Sequence, residues 1–397
     1  MKLIFIRLFQ SYYDKPFLEA FQKLGWDVEE KTYYTPKDPY EDDQLMEMIR
    51  RDLKGKRVDA VLTVNFWPLL AHPLAELGIP YVSWSYDAPQ NLPKTDGMEY
   101  DNNFIFLFDA MEVEKYRRLG ITRVFHMPLG VDVEGWQKAT KDYYASHKLS
   151  KSSFQADVSL VGSLYASTFP QIRQELSGYE AGLLQGFCDA QRKLYGCYML
   201  PELLTDEVMK KIQKGFAPGH PLAGISSSQL SYSMSTYLTS LDRHLLLRFF
   251  SETYDTALFT FQKKEEIAGQ LPKVRVEASV DYATEMPQVF AASKINLCPT
   301  LRCIASGIPL RALDVMGCGG FLLIPSQPEL LEYFVPNQDA GIYTSVEEAA
   351  DLAAYYLTNE EQRQNVARSG MEKVRAAFRM EDRLKQIMDL VMQGGVA

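Results

Sequence analysis

The fold turns on the stretch DAVLTVNFWPLLAHPLAELGIPYVSWSY, residues 59–86. Asp59–Phe66 is an almost unbroken apolar run, the mark of a strand covered on both faces. Leu69–Leu77 follows at helical spacing and stops at Gly78-Ile79-Pro80. Tyr81–Tyr86 is a second apolar run, closed by Asp87-Ala88-Pro89. Two buried strands joined by a helical crossover lie parallel, so this stretch predicts a βαβ unit in an α/β sheet.

The same rhythm extends in both directions. Lys2–Leu8 reads as a strand, Lys15–Leu24 as a helix ending at Gly25, Trp26–Tyr34 as a strand and Asp42–Leu53 as a helix. Phe104–Phe108, Ala110–Leu119 and Val124–Met127 continue the alternation up to Pro128-Leu129-Gly130-Val131-Asp132. This predicts a Rossmann-like, doubly wound first domain over residues 1–150, with the polar Lys138–Ser153 as a linker. The alternation then restarts with strands at Ala156–Val161, Thr256–Phe261, Val274–Val280, Ile295–Cys298, Phe321–Ile324 and Gly341–Tyr343. A second doubly wound domain over 151–377 follows, with a helical tail after it. Its first two strands are far apart, whereas a crossover needs only about a dozen residues plus its helix. A helical insertion therefore occupies about 168–252, with one long helix marked by Leu230, Met234, Leu238, Leu241, Leu245 and Phe249. It is either a layer packed on the domain or a surface for an acceptor or a second subunit.

Composition narrows the class. The 397 residues suit two domains of roughly 200 residues each. With 46% hydrophobic and 23% charged residues, the chain is neither disordered nor fibrous. A net charge of −9 argues against a nucleic-acid partner, since phosphate backbones select basic surfaces. Five cysteines without a CxxC pair and five scattered histidines offer no zinc spacing. They read as reduced, buried thiols of a cytoplasmic protein. Met1–Ile6 is too short for a secretory apolar region, and no stretch reaches the length of a membrane span.

Two such domains facing one another put a ligand cleft where the strand C-termini point. The most informative segment there is Ser306–Gly320, a loop entering a short helix with Pro309 in its first turn. A helix start of this kind favours phosphate. Asp314, about two turns after Ser306, is placed to reach ribose hydroxyls, or else to pair with Arg311 at i, i+3. No Asp-x-Asp occurs, so a leaving diphosphate needs protein charge. Arg302 and Arg311 are the candidates, with Arg173, after Gly162-Ser163, as a third; each can also be a solvated surface arginine. Asp87, at a strand C-terminus, is either a general base for an acceptor hydroxyl or a turn residue bonding its own backbone.

Asp314-Val315-Met316-Gly317-Cys318-Gly319 resembles the Glu-Ala-Met-Ala-Cys-Gly element of GT-B glycosyltransferases of family 4. Pro128-Leu129-Gly130-Val131-Asp132 resembles the Pro-Asn-Gly-Val-Asp element that closes their N-terminal domain. A closer resemblance, to the bacterial spore-maturation CgeB-like branch, covers Ser293–Leu297, Arg302, Ser306–Asp314, Gly319–Leu323, Pro328–Glu332, Ser345–Glu348 and the tail around Glu361–Val374. It implies a GT-B fold of two facing Rossmann-like domains and transfer of a sugar from a nucleotide-diphosphate donor, a UDP-sugar, to a protein or glycan hydroxyl. It implies no metal and no cofactor. The donor would lie against Gly162, Ser163, Arg173, Asp281, Tyr282, Thr300, Ser306, Gly307, Ile308, Pro309, Arg311 and Asp314. Asp87, Arg302 and Arg311 would carry catalysis, the N-terminal domain the acceptor, and a last helix at about 378–397 would cross back to that domain. The family has glutamates eight apart where this chain has Ser306 and Asp314, so the first carboxylate is missing. An inactive nucleotide-sugar-binding partner protein and a sugar-nucleotide epimerase are the alternatives.

Overall fold

The computed structural model describes residues 1–395 apart from 10, 12, 91 and 148–153. The chain divides into two compact units, Met1–Asp132 with Phe378–Ala397, and Val133–Ala377.

The first unit runs β1 (Lys2–Arg7), α1 (Asp14–Leu24), β2 (Asp27–Thr32), α2 (Asp43–Leu53), β3 (Ala60–Val64), α3 (Pro68–Glu76), β4 (Tyr81–Ser85), β5 (Asn103–Leu107), α4 (Ala110–Arg118) and β6 (Val124–His126). The six strands form one parallel sheet in the order β2-β1-β3-β4-β5-β6. β3, β4 and β5 are buried along their whole length. Helices on both faces demand this, and the apolar runs supply it. Polar β2 takes the edge, where such a sequence can be wet.

The second unit opens with α5 (Val133–His147) and β7 (Val158–Val161). The insertion follows as α6 (Phe169–Gln174), α7 (Gly178–Arg192), α8 (Leu200–Leu203), α9 (Asp206–Gly215) and α10 (Ser227–Ser251). Phe169, Leu184, Leu200, Ile212, Leu230 and Met234 give it a hydrophobic cluster of its own. The 25-residue α10 starts with a reciprocal Ser226–Gln229 capping box. Next come β8 (Thr256–Phe259), α11 (Lys264–Ala268), β9 (Arg275–Glu277), α12 (Met286–Ala292), β10 (Ile295–Leu297), α13 (Leu310–Gly317), β11 (Leu322–Pro325), α14 (Pro328–Tyr333), β12 (Gly341–Tyr343), α15 (Val346–Thr358) and α16 (Glu360–Ala377). This sheet is also parallel, in the order β12-β11-β10-β7-β8-β9.

Two expectations shift. The stretch read as a linker is helix α5 as far as His147, and residues 148–153 lie outside the described residues. Its lysines sit on a helix whose Trp136 is buried and which packs on α12, so α5 groups with the second unit and the division falls at Asp132, not at 150.

The last helix, α17 (Met380–Met392), belongs to the first unit and packs on α1. A short backbone pairing fixes its entry: Val131 N–H donates to Phe378 O at 2.8 Å and Met380 N–H to Val131 O at 3.2 Å. Gly130 makes this approach possible. A Cβ there would lie 2.9 Å from Met380 Cα and 3.2 Å from the Trp84 ring. Gly130→Ala should therefore lower unfolding stability by about 1–3 kcal/mol through overpacking. Urea denaturation checks this, and wild-type stability in the variant would contradict so close a crossing.

Candidate functional site

In the second sheet the chain runs from β7 outward through β8 and β9, then returns to β10 on the other flank of β7. Connections reverse direction between β7 and β10, and an open parallel sheet binds ligands outside the strand C-termini at such a point. Gly162-Ser163 follow β7, and Cys298-Pro299-Thr300 follow β10 on the way to α13. The site residues expected from sequence in this unit form three groups, two of them beside this switch point.

The first group is Arg311, Asp314 and Tyr282. Asp314 is 1% exposed. Its Oδ1 accepts the Tyr282 hydroxyl at 3.0 Å, and its Oδ2 lies 3.3 Å from Arg311 Nη1. Burial pushes its carboxyl up to about 6, against the opposing pull of the Arg311 charge and the Tyr282 hydrogen bond. The i, i+3 pair thus exists, but as a sunken pair rather than a surface one. The Arg311 guanidinium also touches Met286 Sδ and lies 5.6 Å from the Phe290 ring centre. Tyr282 is braced edge-on against Trp136 at 5.1 Å. Asp314 therefore orients a guanidinium and a phenol.

The second group is the loop into α13. Ser306, Gly307, Ile308 and Pro309 are all buried, and Pro309 is the residue just before the helix. Ser306 Oγ donates to Glu329 Oε1 at 2.7 Å, and Glu329 N–H donates to Ser306 O at 3.1 Å. A carboxylate does stand at Ser306, supplied by Glu329 from the start of α14. Thr300 Oγ1 turns back to Cys298 O. Asp281 caps its own turn, accepting the backbone N–H of Ala283 and of Thr284 and the Thr284 hydroxyl.

The third group lies elsewhere. Arg302, expected on a leaving diphosphate, is buried with every guanidinium nitrogen engaged. Its Nε donates to Asp242 Oδ2 at 2.7 Å, Nη1 to Leu194 O at 2.6 Å and Nη2 to Arg192 O at 3.3 Å, over the face of Tyr195. It ties the insertion to the β10 loop. Arg173 donates to Gln185 inside the insertion. Cys188, Cys298 and Cys303 are buried as expected, but Cys318 is half-buried and Cys197 exposed.

In the first unit, exposed Asp87 follows β4, and its Oδ2 accepts Asn65 Nδ2 at 2.7 Å. Asn65 follows β3 with φ +60° and also accepts the Tyr86 N–H at 2.9 Å. The hydrogen bond to the Asp87 carboxylate thus comes from a side chain 22 positions away and not from its own turn. Sequence reasoning missed Asn65; Asn before an aromatic at a strand end was its only signal. It also missed Glu112 in the first turn of α4. Glu112 Oε1 accepts Gln90 N–H at 2.9 Å, while Oε2 is buried without a hydrogen-bond partner among the described residues. Burial pushes this carboxyl up to about 7; nearby Asp109 and Asp87 add to the rise, and the Gln90 N–H and Lys115 oppose it. Among the described residues no helix is long and apolar enough to cross a membrane, and no group of three or more His, Cys, Asp or Glu could hold a metal ion.

A family model described as glycosyl transferase-like matches residues 242–389, from α10 into α17. No curated protein matches the chain. Among solved structures, sucrose-phosphate synthase from Thermosynechococcus elongatus aligns at 12% identity over 99% of this chain and 98% of its own, with a TM-score of 0.58. Anabaena Alr3699/HepE in complex with UDP-glucose aligns at 12% identity over 99% and 100%, TM-score 0.55. The trehalose 6-phosphate synthase of Burkholderia multivorans aligns at 12% over 100% and 99%, TM-score 0.56. The two parallel-sheet domains are those of a GT-B fold, and residues 242–389 carry the glycosyl transferase-like match.

Two outcomes follow. Arg302→Met strands the buried Asp242 carboxylate and should cost about 3–5 kcal/mol of stability, read from denaturant midpoints. A large loss of turnover at wild-type stability would instead restore Arg302 as a catalytic group. For Glu112, the folded carboxyl binds its proton more tightly than the unfolded one. Stability therefore falls as pH rises from about 4.5 to about 7 and is level above that. Glu112→Gln keeps an acceptor for Gln90 and should flatten this slope, gaining on the wild type at pH 8 relative to pH 4.5. Parallel pH profiles for the two proteins would contradict the buried, protonated carboxyl.

Proposed function

We propose that this chain is a glycosyltransferase that moves a sugar from a UDP-sugar to an acceptor hydroxyl on a protein or glycan, with no bound metal. The second unit would hold the donor and the first the acceptor. The observation that carries the reading is the Arg311–Asp314–Tyr282 cluster on α13 and the loop before α12, beside the β7/β10 switch point and inside the glycosyl transferase-like match. Complexes of Alr3699/HepE with UDP and with UDP-glucose on a similar fold support the donor class. The residue matches to the CgeB-like branch support that branch, and five unbridged cysteines fit a reducing, cytoplasmic setting.

In this reading Arg311 takes charge that builds on the leaving diphosphate as the glycosidic bond breaks, and Asp314 and Met286 hold its fork. Asp87, held by Asn65, is the candidate acceptor of the hydroxyl proton. Burial of Asp314 favours a positioning role over direct contact with ribose.

UDP at about 100 times its Kd should stabilise the protein by about 2.7 kcal/mol with EDTA present. Arg311→Ala should then cost about a hundred- to thousand-fold in turnover at saturating donor. If the two residues act as one ion pair, Arg311→Ala with Asp314→Asn should be no worse than the poorer single variant. No thermal shift with any nucleoside diphosphate would overturn the donor site. Binding without transfer to any acceptor would favour an inactive sugar-nucleotide-binding protein.

A further inference from the structure

A further cation, Arg243, lies at the switch point. Arg243 is on α10, the residue after Asp242, and successive helix positions point about 100° apart. Asp242 faces Arg302; Arg243 reaches the strand ends. Its Nη1 donates to Ser163 O, after β7, at 2.5 Å, and its Nη2 donates to Pro299 O, after β10, at 3.0 Å. The guanidinium thus bridges the two loops that flank the crevice.

Three features set it apart from the buried Arg302. It has no ion pair among the described residues, whereas Arg302 holds Asp242. Its Nε is buried without a hydrogen-bond partner among the described residues. Burial works against its charge, and among its neighbours is a second cation, Arg311. A guanidinium does not shed its proton to escape such a position, so the fold keeps a positive charge there whose one carboxylate neighbour in this balance, Asp242, is already paired with Arg302. The surroundings are shaped around it. Tyr165 lies under the guanidinium at 4.7 Å and is held at φ +56°, an unfavourable conformation for a tyrosine. Gly162 has φ +147°, and a Cβ on it would come within 3.2 Å of Arg243 Nη1.

We propose that Arg243, brought in by the helical insertion, is an anion-binding residue of this crevice that takes the pyrophosphate of a nucleoside diphosphate together with Arg311. This rests on the donor-site reading above and adds to it a residue from outside the α13 segment. It also gives the insertion a part in donor binding. The two backbone carbonyls fix the plane of the guanidinium, and the pyrophosphate supplies the missing counter-charge.

The test is calorimetric binding of UDP, UMP and uridine to the full-length wild type, Arg243→Met and Arg243→Lys, with melting temperatures of the ligand-free proteins. Loss of a charged hydrogen bond should weaken UDP binding by about tenfold or more in Arg243→Met. UMP should lose less and uridine nothing, and the ligand-free melting temperature should not fall. Lysine should recover part of the loss, because it keeps the charge without the planar fork. Inorganic pyrophosphate should compete with UDP on the wild type, a measurement that needs no variant. Equal UDP affinity in wild type and Arg243→Met overturns the proposal. So does parallel loss of UDP and uridine with a lower melting temperature, the mark of a mere loop tie. If the wild type binds no nucleotide at all, the donor-site reading fails first.

Discussion

The buried pair of Asp242 and Arg302 is the contact on which the second unit depends. Two charges are taken out of water there, at 4% and 7% side-chain exposure, and such a pair is tolerated only when its geometry and hydrogen bonds are good. Here the arginine is saturated by a carboxylate, two carbonyls and the face of Tyr195. Thr239, also on α10, accepts the Arg302 N–H at 3.0 Å. Together these set the long helix of the insertion in one register against the β10 loop. A hydrophobic contact could hold the helix against the sheet as strongly, but it would leave the helix freer to slide or rotate. Register matters because the next residue, Arg243, meets its two carbonyls only in this setting.

Stability and chemistry therefore fall on adjacent residues with opposite electrostatics. Arg302 has all its partners inside the protein, which suits a structural tie. Arg243, with no ion pair among the described residues, leaves positive charge at the end of a parallel sheet near the Arg311–Asp314 pair. In the first unit the corresponding edge carries carboxylates instead: Asp87 held by Asn65, and Glu112 held by Gln90.

Much of the fold was legible in the sequence because parallel strands buried on both faces read as apolar runs, as in Ala60–Val64 and Tyr81–Ser85. Helix α5 was less so: the lysines and serines of Lys138–Ser153 suggest a linker, and only Trp136, buried on the second unit, argues otherwise. The site was legible in part. Arg311 and Asp314 share a helix, so their spacing revealed the pair. Arg302 was assigned to the ligand because its partner, Asp242, is 60 residues away in sequence. Separation along the chain, 23 and 80 residues, likewise hid Glu329 from Ser306 and Arg243 from Ser163. The contacts of Arg302 and Arg243 come from the packing of the insertion, which carries no local pattern.

The central claim is that a nucleoside diphosphate binds at the β7/β10 end of the second unit, with α10 forming part of the site. Hydrogen exchange of the full-length protein with and without UDP, followed by mass spectrometry, tests it most directly. The account predicts slowed exchange in residues 162–165, 299–311 and the middle of α10 around Arg243. UDP-dependent protection confined to the first unit, or protection of the β10 loop with α10 unchanged, would contradict it.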